Sequence, residues 1–173
     1  MEEAPADAST LIYIAKADAF VEVAQCVPKL LVPPAVWREA VAEGERAGAA
    51  EVPRIRAAQG LGVLERVQLS QADQRLAATI AAENRLGSGE SEVLAIGSSI
   101  GRAIVDEGRA TRVARSLGVV PISTLFLPVV GRRSGRLTAS DAMALLRRLA
   151  AAVATARADV VQEIEKELQR EHT

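Results

Sequence analysis

Short apolar runs separated by helix-length segments are the feature that most constrains this chain. Lys29-Leu30-Leu31-Val32, Ala103-Ile104-Val105 and Val119 to Ile122 are each too short for a buried helix and are bounded by turn formers. Val63 to Leu69, alternating through Val63, Glu65 and Val67, reads as a further strand. Between them lie helical patterns: Asp7 to Ala17 with Leu11, Ile14 and Ala15 on one face, Ala19 to Cys26, and Pro34 to Gly44 with Val36, Ala40 and Val41 on its stripe. Ala47 to Gly62 reads as a loop or short helix. Gln71 to Asn84, Glu90 to Ile100, Glu107 to Leu117, Thr124 to Arg132, Ser140 to Ala152 and Asp159 to Arg170 complete the helices. Strands alternating with helices predict an α/β domain with a mainly parallel sheet, in which fully apolar runs such as Ala103 to Val105 are buried on both faces.

Composition narrows the chemistry. A chain of 173 residues, 49% hydrophobic, buries enough surface for one core, so a single domain over residues 1–173 is expected. With only 2% aromatic residues that core is aliphatic, and extended stacking platforms for single-stranded nucleic acid are not expected. No apolar run approaches the roughly 20 residues of a membrane span, and the N-terminal residues are acidic, so a cytoplasmic protein without membrane contact is expected. The single cysteine, Cys26 between Val23 and Val27, reads as a small buried hydrophobe. The single histidine, His172, sits beside the C-terminus. Without a histidine in the folded body, Ser-His-Asp and Cys-His catalysis, a histidine-built zinc site and a two-histidine ribonuclease mechanism all lose their central group. Carboxylates and metal are what remain to an enzyme here. The net charge of −1 gives no global attraction to nucleic acid.

In parallel α/β sheets, ligands bind beyond the carboxyl ends of the strands. Asp7 and Asp106 each directly follow an expected strand, and Glu39 and Glu90 each lie near the start of a helix, which brings four acids to one rim. Each has a plainer reading: Asp7 and Asp106 as helix N-caps, Glu90 as an anion stabilised by the N-terminus it opens after the Gly87 to Gly89 turn, Glu39 as a solvated acid beside an apolar face. Glu92 points about 200° away from Glu90 on the same helix, so both cannot ligate one ion; Glu92 and Glu107 are reserve candidates. Arg109, Arg112 and Arg115 recur every three residues after Asp106 and offer a phosphate-binding face, with Arg132, Arg133 and Arg136 as a second patch.

Four stretches resemble the PIN-domain nucleases, in the PIN-like branch whose third acid lies in a Gly-Glu pair. They are Asp7-Ala8-Ser9-Thr10-Leu11-Ile12, Leu31 to Glu39, Gly89-Glu90-Ser91-Glu92-Val93-Leu94-Ala95-Ile96, and Ile104-Val105-Asp106-Glu107-Gly108-Arg109-Ala110 running on to Ser123-Thr124-Leu125. The match covers Asp7 to about Leu137 and is looser over about 138–173. The resemblance implies a three-layer α/β/α sandwich around a mainly parallel sheet of about five strands in the order 3-2-1-4-5. It implies a catalytic Mg²⁺ or Mn²⁺ site built by Asp7, Glu39, Glu90 and Asp106, with the hydroxyl of Thr124 as an auxiliary group and Arg109 and Arg112 on RNA. It implies a ribonuclease, of a kind that in many relatives is the dimeric toxin of a toxin–antitoxin module with a small antitoxin protein as partner. The chain departs from the family at Pro5, in the expected first strand, and at Ser123, where many relatives have glycine. The alternative is a PIN-fold module that no longer cuts and serves in binding or regulation. A metal-dependent phosphatase is a third reading, disfavoured because Ser9 fills the second position of its Asp-x-Asp pair.

Overall fold

The computed structural model describes residues 1–153 and 156–170, so His172 lies outside the described residues. The strands are β1 (Glu3–Pro5), β2 (Lys29–Val32), β3 (Leu64–Arg66), β4 (Arg102–Ile104) and β5 (Val120–Ile122), all paired in parallel. Between β1 and β2 come α1 (Ala8–Lys16) and α2 (Phe20–Cys26). After β2 a helical arm runs through α3 (Pro34–Trp37), a π-helical segment (Arg38–Glu43) and α4 (Gly44–Ala47), followed by α5 (Val52–Gly60), where a loop or short helix was expected. Helices α6 (Gln71–Asn84) and α7 (Ser88–Ile100) lead to β4, and α8 (Gly108–Ser116) links β4 to β5. A 3₁₀ turn (Thr124–Phe126), α9 (Leu127–Arg133), α10 (Ala139–Ala152) and α11 (Ala158–Gln169) close the chain.

The α/β class follows the sequence expectation, but one continuous sheet in the order 3-2-1-4-5 does not form. The ladders divide into a three-stranded sheet, β1-β2-β3, and a two-stranded sheet, β4-β5, joined by a single bridge from Ala6 to Ile104. Proline is the physical reason. Ala6 N–H bonds to Leu31 of β2 while Asp7 N–H bonds to Ile104 of β4, so the odd-numbered backbone groups of β1 face β4. Pro5 faces the same way and has no N–H to give, so the ladder across this seam stops after one rung. The same geometry explains why β1 survives its proline: the ladder to β2 uses only the other set of groups. The strand is buried, with Ala4 and Ala6 fully inaccessible.

The core is aliphatic, as the composition requires. Leu11, Ile14, Leu30, Ile55, Ile80, Leu94, Ile104, Leu127, Leu145, Leu146, Leu149 and Leu168 are its largest fully buried side chains. Cys26 is among the buried residues, and burial pushes its thiol up to about 12, so it stays protonated and acts as a hydrophobe. Val36, Ala40 and Val41 are buried as their spacing indicated. Two glycines are set by close approach. A Cβ at Gly131 would lie 2.8 Å from Cys26 Sγ, and one at Gly89 would lie 2.6 Å from Glu39 Oε2. The second of these belongs to the rim where the strands end.

Candidate active site: a carboxylate-lined cavity

Asp7, Asp106 and Arg66 stand at the carboxyl ends of β1, β4 and β3, so the turns after the strands share one rim. A cavity of about 470 Å³ opens there, lined by Asp7, Ala8, Ser9, Tyr13, Glu39, Gly87, Glu90, Asp106, Glu107 and Gly108. All four acids singled out from the sequence border it, and Glu107, held there in reserve, is a fifth.

Asp7 is the N-cap of α1. Its Oδ1 accepts the Thr10 N–H at 2.7 Å and the residue is 4% exposed. The cap reading and the site reading are therefore both satisfied, one oxygen serving the helix. Burial raises its carboxyl from 3.8 to about 6; the Thr10 N–H opposes the shift and the nearby charge of Asp106 adds to it.

Asp106 does not cap α8, whose N-cap is Glu107. Its Oδ1 accepts from the Ser123 hydroxyl at 2.8 Å and the Thr124 N–H at 2.9 Å, and its Oδ2 accepts from the Thr124 hydroxyl. Thr124 is fully buried and outside the cavity lining, so its hydroxyl positions Asp106 rather than reaching a ligand. Thr124 Oγ1 also lies 3.1 Å from Thr10 Oγ1, which braces the turn bearing Asp7 against the turn bearing Asp106. Ser123, the departure from the family pattern, supplies one of these donors and caps the 3₁₀ turn.

Glu39 arrives on the π-helical segment, a helix form concentrated at functional sites. Its Oε1 accepts the Gly89 N–H at 3.1 Å and contacts the Ser88 hydroxyl at 3.4 Å, at the N-terminus of α7. That approach is open only because residue 89 has no Cβ. The Gly89-Glu90 pair thus serves two acids: the glycine seats Glu39 and the glutamate is itself at the cavity. Helix α7 begins at Ser88, two residues before the expected Glu90, because Glu90 folds back to accept the Gly87 N–H at 3.0 Å, one half of a capping box. Burial raises Glu90 to about 7, and a hydrogen bond to the Glu107 carboxyl adds to the shift.

Glu92 does not reach the cavity. Its Oε2 accepts the Ala35 N–H at 2.8 Å, so it serves the first turn of α3, which Pro33 and Pro34 leave without a side-chain cap. Arg109 and Arg112 also stand outside the acid lining, in a neighbouring hollow with Glu83 and Asn84; Arg109 Nη1 bonds the Arg85 carbonyl at 3.1 Å. The second arginine patch is largely neutralised: Arg133 pairs with Glu167 at 2.6 Å and Arg136 pairs with Glu2. Sequence reasoning missed Tyr13 and Ser9, whose i,i+4 spacing on α1 puts both on the cavity side and was the available signal. Burial and the charges of Asp106 and Asp7 raise the Tyr13 phenol, keeping it a donor.

The donor set is all oxygen and no Lys or Arg lines the cavity, a composition that fits a hard divalent cation. The raised carboxyls of Asp7 and Glu90 are pushed up chiefly by burial, and the neighbouring acids add to both shifts with no cation to oppose them. Among the described residues, no three acidic, His or Cys side chains stand grouped as a ready-made metal site. The reason is local: Glu39, Glu90 and Asp106 are each turned to protein donors or to a neighbouring acid.

Fold and site together define an α/β protein with an acidic cavity beyond the carboxyl ends of parallel strands. The family model of DUF3368, a PIN domain, matches residues 5–170, and the chain belongs to that family. PIN domains are generally nucleases and generally use divalent metal ions. Comparison with curated proteins and with solved structures gives no match.

Proposed function

We propose that this protein is a metal-dependent ribonuclease that hydrolyses RNA phosphodiesters at the carboxylate cavity. The observation that carries the reading is the meeting of Asp7, Glu39, Glu90, Asp106 and Glu107 around one cavity without a lining cation. Asp7, Glu39, Glu90 and Asp106 would hold Mg²⁺ or Mn²⁺, Glu90 being the third acid of the Gly-Glu pair. Bound there, such an ion lowers the pKa of water and offsets charge on the phosphodiester.

The chain's own residues orient these groups. Thr10 holds Asp7 by its backbone N–H, and Ser123 and Thr124 fix Asp106 through three donors. Gly89 seats Glu39, and Tyr13 offers a protonated phenol to an anionic substrate. Arg109 and Arg112, in the adjoining hollow, contact flanking phosphates. We extend the reading to a cytoplasmic toxin of a toxin–antitoxin module, acting as a homodimer and held by a small antitoxin protein. The rival reading, an inactive PIN-fold module, is favoured by a first strand that Pro5 would prevent from forming, and β1 forms in spite of that proline.

Replacing Asp106 by Asn, or Asp7 by Asn, abolishes Mg²⁺- or Mn²⁺-dependent cleavage of single-stranded RNA with the circular dichroism spectrum unchanged. Undiminished cleavage in both variants sinks the proposal.

A further inference from the structure

The rim does not end at the acids. Arg66 closes β3, in register with Val32 at the end of β2, so it stands on the same strand-end edge as Asp7 and Asp106. Its guanidinium lies over the ring of Trp37, 4.8 Å from the centroid. Trp37 is the only tryptophan of the chain and is half-buried, packed against the core beneath while Arg66 is exposed. The link to the cavity runs through Arg38. Trp37 and Glu39, two residues apart, leave the helical arm in different directions, and Arg38 between them donates from Nη2 to Ser88 Oγ at 3.1 Å, the hydroxyl that contacts Glu39.

The arginines here differ in their pairing. Arg56, 5.8 Å from the Trp37 centroid, is tied to Glu45 by contacts of 2.7 and 2.6 Å. Arg38 and Arg66 have no carboxylate partner among the described residues, although the chain as a whole carries net charge −1. An exposed guanidinium held only by a ring face is exchangeable, because base stacking on an aromatic ring is the stronger contact. The displaced guanidinium then remains within reach of the phosphate that accompanies the base.

We propose that Trp37 and Arg66, with Arg38 between them and the cavity, form a subsite that stacks one base of single-stranded RNA and holds its phosphate beside the cleaved linkage. The inference rests on the ribonuclease reading and adds to it the direction in which the bound strand leaves the acids, toward β3. A lone stacking residue suffices for one nucleotide even in a chain poor in aromatics.

The single tryptophan is its own probe. The full chain, in EDTA to prevent cleavage, is titrated with a single-stranded oligouridylate while tryptophan emission is read, and in parallel with a fluorescein-labelled copy whose anisotropy reports total binding. The expected result is saturable quenching of Trp37 at the same RNA concentration at which anisotropy rises. Arg66→Gln weakens binding by about three- to tenfold and lowers the slope of log Kd against log salt by about 0.7, one phosphate contact on a single strand. Arg66 is exposed, so this variant folds even if Trp37→Leu does not. Anisotropy that rises with emission unchanged, or an Arg66→Gln variant with an unaltered salt slope, overturns the subsite and leaves the nuclease reading standing. No rise in anisotropy overturns the subsite, and the metal-dependent cleavage assay then decides the nuclease reading separately.

Discussion

Asp7→Asn isolates the electrostatic cost that burial in the cavity imposes on a carboxylate. The wild-type carboxyl is raised from 3.8 to about 6, chiefly by burial, so folding binds a proton and the charged form is disfavoured. This cost is absent below about pH 3, where Asp7 is protonated in both states, grows as the unfolded carboxyl ionises, and is fully present above about pH 7. The raising corresponds to about 3 kcal/mol at neutral pH. Asn is as good an N-cap as Asp and still accepts the Thr10 N–H, and the attraction of the anion to that N–H is already contained in the net shift. The variant in EDTA is therefore more stable than wild type by about 3 kcal/mol near pH 7.5, a Tm higher by roughly 6 to 12 °C for a chain of this size. Near pH 3 the two melt together. Thermal melts at the two pH values, with and without Mn²⁺, check this. Mn²⁺ raises the wild-type Tm near pH 7.5 and leaves Asp7→Asn unmoved. A variant that melts lower than wild type near pH 7.5, or a gain equal at both pH values, refutes the argument from buried charge.

Two further substitutions separate the glutamates. Gly89→Ala puts a Cβ 2.6 Å from Glu39 Oε2, and since only the end of a flexible side chain must move, the fold survives while Glu39 leaves its seat; metal-dependent cleavage falls by about tenfold or more with Tm nearly unchanged, and full activity contradicts the role assigned to the glycine. Glu92→Ala removes the acceptor of the Ala35 N–H and lowers Tm by roughly 2 to 6 °C, the cost of about 1 to 2 kcal/mol for a lost cap, while the Mn²⁺-induced rise in Tm stays as in wild type. A loss of that rise would return Glu92 to the cavity.

Much of this protein was legible in its sequence because the signals are local. The apolar runs at Leu30 to Val32 and Ala103 to Ile104 are strands, and a strand buried between helices has little alternative to such a composition. Asp7 and Asp106 follow strand ends, so the parallel topology alone carries both to one rim. Cys26 between valines is buried. What distinguishes one glutamate from another is not local. Glu107 lines the cavity because α7 delivers Glu90 beside it, and Glu92 faces away to finish a helix start 57 residues earlier in the chain. Gly89 looked like a turn former and is instead the gap that admits Glu39, a contact between elements 50 residues apart. Thr124, expected from the resemblance as an auxiliary hydroxyl, is made a positioning residue by the packing of the turn after β5 against Asp106. Pro5 departs from the family in the expected first strand; only the facing of alternate peptide groups, even residues toward β2 and odd residues toward β4, decided that the strand persists and the sheet divides instead. Periodicity and strand ends are written along the chain, whereas the partner of a carboxylate is chosen by whichever donor the fold brings within 3 Å of it.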